Sequence, residues 1–452
     1  MRPKVLLRHP LVSLLALSLM ACEGEPAQVA PEPVPAPEPV VAAPIPEPSP
    51  PVVRPVAALP EGPQHVVVIL IDTLRADVVA EAHTPNIDAL AARGLSVERA
   101  WSTTTWTVPA VISLFTGSFV RTHGWDLPTG DMTLRPPLPD LPTLAEVLHQ
   151  GGFATTGLYA NGYLAHELGF SRGFDEWKRS TDSRMAVEVE RRVQAWQVAD
   201  DAPSVQRQFL YLHLLGIHSG LKPSDAARVR HGLDPKWFTE RVGLLIGRAK
   251  RDKEAGVRTA YNTAYRAVVE DMDTHVGAII EALGPALDDT LVVLLSDHGE
   301  ELGEHDAFGH GWSVAESLTH VPVIVAGPGV EKGQRATATI AEISDLITDA
   351  AGIDHPWPVQ TPWQGPLVAE RHGKQAVLVD GRFKGIWHGD DLTTYDLQVD
   401  ASAVTPTPGS EAQVEQGIRA WQASTAAGAP LTDHVELDPR TLEAVRALGY
   451  VD

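Results

Sequence analysis

Residues 65–72 read His-Val-Val-Val-Ile-Leu-Ile-Asp, an apolar run that ends on a carboxylate. A continuous apolar run of this length predicts a strand that is buried on both faces of a sheet. Residues 290–298, Thr-Leu-Val-Val-Leu-Leu-Ser-Asp-His, have the same form. Because ligands bind beyond the carboxyl ends of the strands in an open parallel sheet, these two strand ends predict a shared polar site.

The segments around these two runs alternate between strand and helix patterns. Further apolar strands are expected at 153–159, 209–215 and 321–325. Helices are expected at 84–93, 141–150, 259–283 and 343–351. This βα alternation predicts an α/β fold, with a large and mostly parallel sheet sandwiched by helices.

The pattern changes after about Trp357. Two short strands, 375–380 and 383–388, flank the hairpin signal Asp380-Gly381, and a terminal helix is expected at 437–448. We therefore expect the large α/β domain at 63–357 and a small antiparallel C-terminal subdomain at 358–452.

The first 62 residues are not expected to belong to the folded part. A basic start precedes the apolar stretch 11–21, which is long enough for a signal peptide and too short to span a bilayer. The stretch ends at Cys22 in a sequence that resembles a bacterial lipobox, although an ordinary signal peptide that contains a cysteine is the alternative. Residues 1–22 thus predict a lipoprotein-type signal, and the protein is expected to be exported and anchored to the bacterial cell envelope through a lipid on Cys22.

Residues 23–62 contain 13 prolines, so this segment is expected to be an extended linker without a packed core. It would separate the folded part from the membrane, either in the periplasm or at the cell surface.

Composition excludes several classes of function. The 452 residues carry 36 Lys+Arg and 58 Asp+Glu, a formal charge of −22, which argues against binding to nucleic acid through phosphate contacts. The single cysteine excludes a disulfide framework and metal sites that need several cysteines. Metal sites made of histidine and carboxylates remain open.

Asp72, Asp297 and His298 follow the two buried strands and are candidate metal ligands. Carboxylate oxygens with an imidazole suit Zn²⁺ or Mn²⁺, and Ca²⁺ or Mg²⁺ with less preference. The alternative is that Asp72 caps the next segment and that Asp297 and His298 open a loop.

Thr107, Val108 and Pro109 open a predicted helix that ends near Gly117. Threonine is a good N-cap and proline suits the first turn. Alternatively, the Thr107 hydroxyl lies at a helix N-terminus that stabilises anions, where it can act as a nucleophile beside a metal ion.

Four segments in this order resemble the sulfatase family of the alkaline phosphatase superfamily. They are 71–77 with 84–88, 106–110 with 113–117, 296–301 with 303–305, and 309–311. The resemblance covers about 66–353, and it implies a large α/β sandwich with a smaller C-terminal sheet, a divalent metal ion and an ester hydrolase activity.

The chain departs from the sulfatase pattern at the nucleophile. Sulfatases carry Cys or Ser in Cys/Ser-x-Pro-x-Arg and oxidise it to formylglycine, whereas this chain has Thr107 there and Val111 at the arginine position. Thr73 replaces a second acidic residue, residues 160–163 lack the Lys and His of a Gly-Lys-Trp-His motif, and His310 stands where a lysine is usual.

Thr nucleophiles occur in related phosphodiesterases, phosphonate hydrolases and phosphoglycerol transferases. By this resemblance, Asp72, Thr107, Asp297 and His298 would hold one divalent ion (Zn, Mn, Ca or Mg). His310 would steady the transferred group or protonate the leaving group, with loop packing as its alternative.

Three other positions complete the set of candidates. His218, beyond the strand 209–215, is a candidate for the substrate site, whereas His213 within that strand is expected to be core. Asp271 and His275 have the spacing of a second metal site, but they lie on a predicted helix and are expected to be solvated, so a single ion is expected.

Three functions are compatible with this sequence. The favoured one is a hydrolase or transferase of phosphate-type esters that uses Thr107 as its nucleophile. The alternatives are a sulfatase that works without formylglycine and a non-catalytic binding protein of the cell surface. The expected substrate is a small-molecule, glycan or lipid ester, and the sequence does not indicate an oligomeric state.

Overall fold

The computed structural model describes residues 62–126, 141–198, 206–218, 221–233, 255–428 and 438–447. The predicted signal peptide, the lipid anchor at Cys22 and nearly all of the linker lie outside these residues and stay predictions. No helix in the described ranges combines the length and the apolar character needed to cross a bilayer.

A large sheet forms the centre of the described part. Its strands are β1 His65–Ile71, β2 Leu95–Trp101, β3 Ala154–Tyr159, β4 Glu176–Arg179, β5 Gln208–Leu214, β6 Thr290–Leu295, β9 His320–Val321, β10 Val323–Ala326 and β11 Gly333–Thr339. They are ordered β11-β2-β10-β6-β1-β5-β3-β4, with β9 paired to β2. Strand β1 runs parallel to β5 and β6, whereas β10 is antiparallel to both of its neighbours. The predicted large, mostly parallel sheet is confirmed.

Strand β1 is buried along its whole length, as its apolar run predicts. Val66, Val68 and Leu70 pack into one hydrophobic cluster, while the alternate residues from Val67 to Ile71 pack into another. The two clusters lie on opposite faces of the sheet because successive strand side chains point to opposite sides.

Helices cover both faces of this sheet. The α-helices of the described part are α1 Ala76–Glu81, α2 Pro85–Ala91, α3 Thr107–Thr116, α4 Val120–His123, α5 Leu144–Gln150, α6 Asp182–Val198, α7 Asp225–His231, α8 Ala255–Leu283, α9 Glu316–Thr319, α10 Ile343–Ala351, α11 Glu411–Ser424 and α12 Pro439–Ala447. Helices α3, α5 and α10 pack on one face, and α2, α6 and α8 on the other. Each buried aliphatic side chain stabilises this sandwich by about 1.5–3 kcal/mol.

Local chemistry moves two element boundaries from their predicted positions. Helix α5 begins at Leu144 because Thr143 and Glu146 form a capping box at its start. The strand expected at 321–325 is two strands, β9 and β10, with Pro322 between them. Proline lacks the N–H that the ladder would use, so the pairing is interrupted there.

The C-terminal part forms a separate antiparallel sheet of β12 Leu367–Arg371, β13 Lys374–Val379, β14 Phe383–His388 and β15 Asp391–Asp396. The predicted hairpin is β13–β14, and its turn residues Asp380 and Gly381 have φ angles of 53° and 63°. The outer strands β12 and β15 and helix α11 were not predicted. A short ribbon, β7 Glu301–Leu302 with β8 Phe308–Gly309, lies between β6 and β9 in sequence.

Candidate active site

Asp72 is the first residue after β1 and its side chain is fully buried. Its Oδ2 accepts hydrogen bonds from Asn161 Nδ2 at 2.7 Å and from the Thr107 hydroxyl at 3.4 Å, and it lies 3.1 Å from His213 Nε2. Its Oδ1 has no hydrogen-bond partner among the described residues. One oxygen therefore fixes the carboxylate and the other is left for a ligand.

Asp297 and His298 follow strand β6, and, as in Asp72, hydrogen bonds engage one polar atom of each side chain and leave another for a ligand. Asp297 Oδ1 accepts backbone N–H groups from Thr73 at 3.2 Å and His298 at 2.9 Å, while its buried Oδ2 has no partner in the described ranges. His298 Nδ1 lies 2.9 Å from the Gly299 carbonyl oxygen, which can only accept, so Nδ1 carries the proton. The lone pair of His298 is therefore on Nε2, which lies 3.4 Å from Asp297 Oδ2.

These residues fit a divalent cation. Asp72, Asp297 and His298 each offer a ligand atom, and the three atoms all lie within 4.8 Å of one another. Two buried carboxylate oxygens without hydrogen bonds are costly to desolvate unless a positive charge completes the site. A second hydrogen bond that fixes each ligand is also typical of metal sites. The donor set of carboxylates and imidazole does not decide which ion binds.

The protonation states agree with a cation site. Burial opposes ionisation of Asp72, but the hydrogen bond from His213 and the nearby imidazoles outweigh it and hold the pKa of Asp72 well below its usual range. Burial, together with the charge of Asp72, raises the pKa of Asp297 well above its usual range. Burial lowers the pKa of His298 to about 3, so its imidazole is neutral and able to ligate.

Thr107 is the first residue of α3 and is not its N-cap. The N-cap is Trp106, which forms no side-chain capping bond. The Thr107 hydroxyl instead lies 3.3 Å from His298 Nε2, in addition to its contact with Asp72. The capping alternative is therefore wrong, and the hydroxyl lies beside the three candidate metal ligands.

His310 and His218 also lie at this edge of the sheet, and both are buried. The ring centroid of His310 is 4.4 Å from that of His298 and 5.0 Å from that of His218. Its Nδ1 lies 2.7 Å from Glu300 Oε2. Burial lowers the pKa of His310 to about 4 and raises the pKa of Glu300 to about 7. Glu300 therefore orients His310 over the site, a role that sequence reasoning missed.

His213 is buried as expected, but it is not merely a core residue. Its Nε2 lies against Asp72, and its Nδ1 lies 2.9 Å from the Tyr211 hydroxyl. A histidine one residue before the end of an otherwise apolar strand was the signal that could have shown this.

Asn161 is a second residue whose role the sequence did not reveal, since it was noted only as a departure from the family pattern. Its Oδ1 accepts a hydrogen bond from the Tyr163 N–H. This bond fixes the amide so that Nδ2 points toward Asp72.

The position of the family arginine is filled by Val111, which is buried in the hydrophobic cluster under α3. An arginine from the small sheet lies near this end of α3. Arg371 on β12 has its guanidinium carbon 4.8 Å from the centre of the Trp106 ring, and its Nε donates to the Gly311 carbonyl at 2.9 Å. Arg371 thus contacts both Trp106, which precedes Thr107, and Gly311, which follows His310.

Asp271 and His275 do not join the site. They lie on α8, and Asp271 accepts hydrogen bonds from Ser224 N and Oγ, both at 2.6 Å. The expectation of a single ion stays a prediction.

Comparison with known proteins decides the family. The family model named Sulfatase matches residues 64–353, which is more than half of the chain. The chain belongs to the sulfatase family.

Relatives in this family match the chain to different extents. Choline-sulfatase of Rhizobium meliloti is 36% identical over 101 residues, which is 21% of this chain and 20% of that protein. Arylsulfatase K of Mus musculus is 22% identical over 405 residues, covering 71% of each chain. The match thus covers about a fifth of the length of choline-sulfatase and 71% of the length of arylsulfatase K.

A solved structure shares the fold. Phosphonate monoester hydrolase from Silicibacter pomeroyi superimposes with a TM-score of 0.59 at 19% identity, covering 79% of this chain and 94% of that one. The chain therefore shares its fold with a hydrolase named for phosphonate monoesters, whereas the two relatives above are named for sulfate esters. Members of the superfamily use a divalent metal ion, and the Asp72, Asp297 and His298 cluster is the candidate site for it.

Proposed function

We propose that the protein hydrolyses phosphate-type esters, with Thr107 as the nucleophile at a single divalent metal site. The observation that carries this proposal is the position of the Thr107 hydroxyl, 3.4 Å from Asp72 Oδ2 and 3.3 Å from His298 Nε2 at the start of a helix. Threonine cannot form the formylglycine aldehyde, so a reaction at this position uses the hydroxyl itself.

Asp72, Thr107, Asp297 and His298 would hold the ion. When bound, a divalent cation supplies a positive charge that lowers the pKa of a neighbouring hydroxyl and stabilises negative charge on the transferred group. Asp72 Oδ2 accepts the hydrogen bond of the Thr107 hydroxyl and so fixes the position of Oγ1 beside the candidate ligands. The free N–H groups at the start of α3 face anionic oxygens.

The residues then account for a double displacement. Thr107 Oγ1, having given its proton to solvent, forms a bond to phosphorus while the bond from phosphorus to the ester oxygen breaks. The leaving oxygen takes the Nε2 proton of His310, and His310 Nδ1 takes the proton held by Glu300 Oε2. Water next attacks the phosphothreonine, which regenerates the Thr107 hydroxyl and releases phosphate. The bond between His310 Nδ1 and Glu300 Oε2 fixes the ring during both steps. Two successive displacements give net retention of configuration at phosphorus.

A panel of aryl esters tests this proposal. The purified protein with added Zn²⁺, Mn²⁺, Ca²⁺ or Mg²⁺ is assayed with 4-nitrophenyl phosphate, bis-4-nitrophenyl phosphate and 4-nitrophenyl sulfate. Turnover of a phosphate ester that leaves phosphate on Thr107, found by mass spectrometry after acid quenching, supports the proposal. Turnover of the sulfate ester alone would replace it with the second candidate below.

Sulfate ester hydrolysis is the second candidate because the relatives named above are sulfatases. Sulfate and phosphate groups are both tetrahedral, so Thr107 and the metal ligands present the same geometry to either. The residues that hold sulfate in the family pattern are replaced here by Val111 and by residues 160–163, and for this reason we rank the sulfate ester second.

We further propose that a lipid on Cys22 anchors the protein to the cell envelope, with residues 23–62 as a spacer. The support is the basic and apolar start of the sequence and its single cysteine. Cell fractionation of the Cys22→Ala variant tests this proposal, because an unanchored protein is recovered without membranes. Equal recovery of the variant in the membrane fraction would contradict it.

A further inference from the structure

A cavity of about 630 Å³ lies beside the candidate active site at the same edge of the large sheet. Its walls come from the carboxyl ends of three neighbouring strands and from the first turns of α6. They are formed by Ala160, Lys178, Arg179, Ser180, Thr181, Asp182, Arg184, Glu188, Leu215 and Gly216. We call this cavity the cationic pocket.

Two loops connect the cationic pocket to the active site. Ala160 in its wall directly precedes Asn161, whose Nδ2 bonds Asp72 at 2.7 Å. Leu215 and Gly216 lie between His213 and His218, both of which are in the site. Since β4 is three strands from β1 in the sheet, the far wall lies about 14 Å from the Asp72 strand.

The charges of the pocket are the unusual feature in a chain of net charge −22. Arg179 and Arg184 are exposed, and neither forms an ion pair or hydrogen bond with another side chain in the part of the chain that the structure describes. By contrast, the half-buried Arg266 is paired with Glu81, and the exposed Arg419 is paired with Glu415. The pocket therefore presents positive charge that no described carboxylate neutralises.

The two carboxylates in the pocket wall are engaged elsewhere. Glu188 is paired with Arg192 at 2.7 Å and with Arg191 at 3.1 Å, besides Lys178 at 3.0 Å. Asp182 Oδ1 accepts the Leu215 N–H at 3.0 Å, and burial raises the pKa of this carboxyl group. Neither side chain pairs with Arg179 or Arg184.

We propose that the cationic pocket binds a second anionic group of the substrate while the ester group lies at Thr107. This inference rests on the proposed function and deepens it, because it assigns the substrate to the class of polyanionic esters. The second anion, a carboxylate, sulfate or phosphate, would lie about 10–15 Å from the reacting atom, given the strand spacing. Arg179 and Arg184 would be specificity residues that bind this group by charge-assisted hydrogen bonds.

Binding by the Arg179→Gln/Arg184→Gln variant tests the proposal without any need for turnover. The probes are four disaccharides that carry one phosphate ester and, on the other ring, a carboxylate, a sulfate, a phosphate or a neutral hydroxymethyl group. Calorimetric affinities are measured with wild type and variant in the Thr107→Ala background, so that no probe is consumed. The Arg266→Gln/Arg419→Gln variant is the matched control, since it loses the same two charges at sites outside the pocket.

We expect the pocket variant to bind the three anionic probes at least about tenfold more weakly, and the neutral probe as the wild type does. Added salt should weaken the three probes with a second anion more than the probe with the hydroxymethyl group, and the largest loss among the three identifies the second group. Equal affinities for neutral and anionic probes in the wild type, or an equal loss in the control variant, would overturn the proposal. A wild type that binds anionic probes through the pocket but cleaves no ester would refute the proposed function and leave the pocket standing.

Discussion

The active site and the cationic pocket lie on one edge of the same sheet, but they are built in opposite ways. Asp72, Thr107 and His298 are at most 1% exposed, and each forms hydrogen bonds with other buried residues. Arg179 and Arg184 are exposed, and no described side chain holds them. Because the active site is buried, its interactions are strong, and a substitution there that leaves a polar group without a partner costs stability or activity. Because the cationic pocket is exposed, its charge interactions are weak, and its arginines can be replaced at little cost to the fold.

The largest effect should come from the most buried nucleophile. We expect Thr107→Ala to lower turnover of any ester that the wild type cleaves by about 10⁴-fold or more, since no other hydroxyl in the described ranges bonds Asp72. Thr107→Ser should keep part of the activity because it keeps the hydroxyl. The measurement is steady-state turnover of the aryl esters.

Thr116→Ala is the matched control, because Thr116 lies on the same helix and its hydroxyl bonds only Ile112 O and Ser118 Oγ among the described residues. Undiminished activity of Thr107→Ala would place the chemistry elsewhere in the molecule.

The next effect concerns the ion. We expect one divalent ion per folded chain, and Asp297→Asn should release it and lower turnover by about 10³-fold, since Asp297 Oδ2 is a buried oxygen of a candidate metal ligand that has no hydrogen-bond partner among the described residues. Elemental analysis of the dialysed proteins measures this. Two ions per chain, or an unchanged content in the variant, would contradict the single site.

Substitution of His310 should lower turnover less than the two changes above, and the loss should depend on the leaving group of the ester. If it protonates the leaving oxygen, His310→Asn should slow esters of poorly acidic alcohols by about 10²-fold or more. Esters of 4-nitrophenol, which leaves without help, should be slowed much less. The slope of log kcat/KM against leaving-group pKa tests this, with His305→Gln as the control outside the site. Equal losses across the series would show that His310 only packs the loop.

The exposed pocket should give a smaller and purely binding effect. We expect Arg184→Gln alone to raise KM about tenfold for an ester with a second anionic group, with kcat unchanged. The same variant should turn over 4-nitrophenyl phosphate as the wild type does. A fall in kcat for both substrates would mean that the pocket shapes the active site instead of binding the substrate.

The smallest expected effect is on the free energy of unfolding. Its sign should depend on the ion for a substitution in the active site but not for one in the cationic pocket. Without an ion, Asp72 and Asp297 are buried side by side, so Asp297→Asn should raise the stability of the chelated protein by about 1 kcal/mol. With the ion, the wild type should be the more stable, because an ion that binds only the folded state stabilises it. Thermal unfolding with and without a chelator shows this crossover, and Arg184→Gln should show none. A chelated variant less stable than the chelated wild type would contradict the argument.

Much of the fold follows from the sequence, because its signals are local. The apolar runs of β1 and β6 predict buried strands, and the polar residues that follow them predict a site at the strand ends. The Asp380-Gly381 pair predicts the β13–β14 hairpin, since both residues adopt positive φ. The edge strands β12 and β15 and helix α11 escape prediction because they are short or weakly apolar, and their apolar residues are buried only in the clusters of the small sheet.

The sequence by itself determined the family motifs, the buried central strands with polar residues at their carboxyl ends, and the absence of a formylglycine precursor at position 107. Only the tertiary structure decided which oxygens of Asp72 and Asp297 are engaged, and that His213 and Asn161 hold Asp72. It also decided that Thr107 does not cap its helix and that Arg179 and Arg184 share a cavity. The physical reason is that hydrogen bonds and charges depend on distances between residues far apart in the chain, and strand order sets those distances.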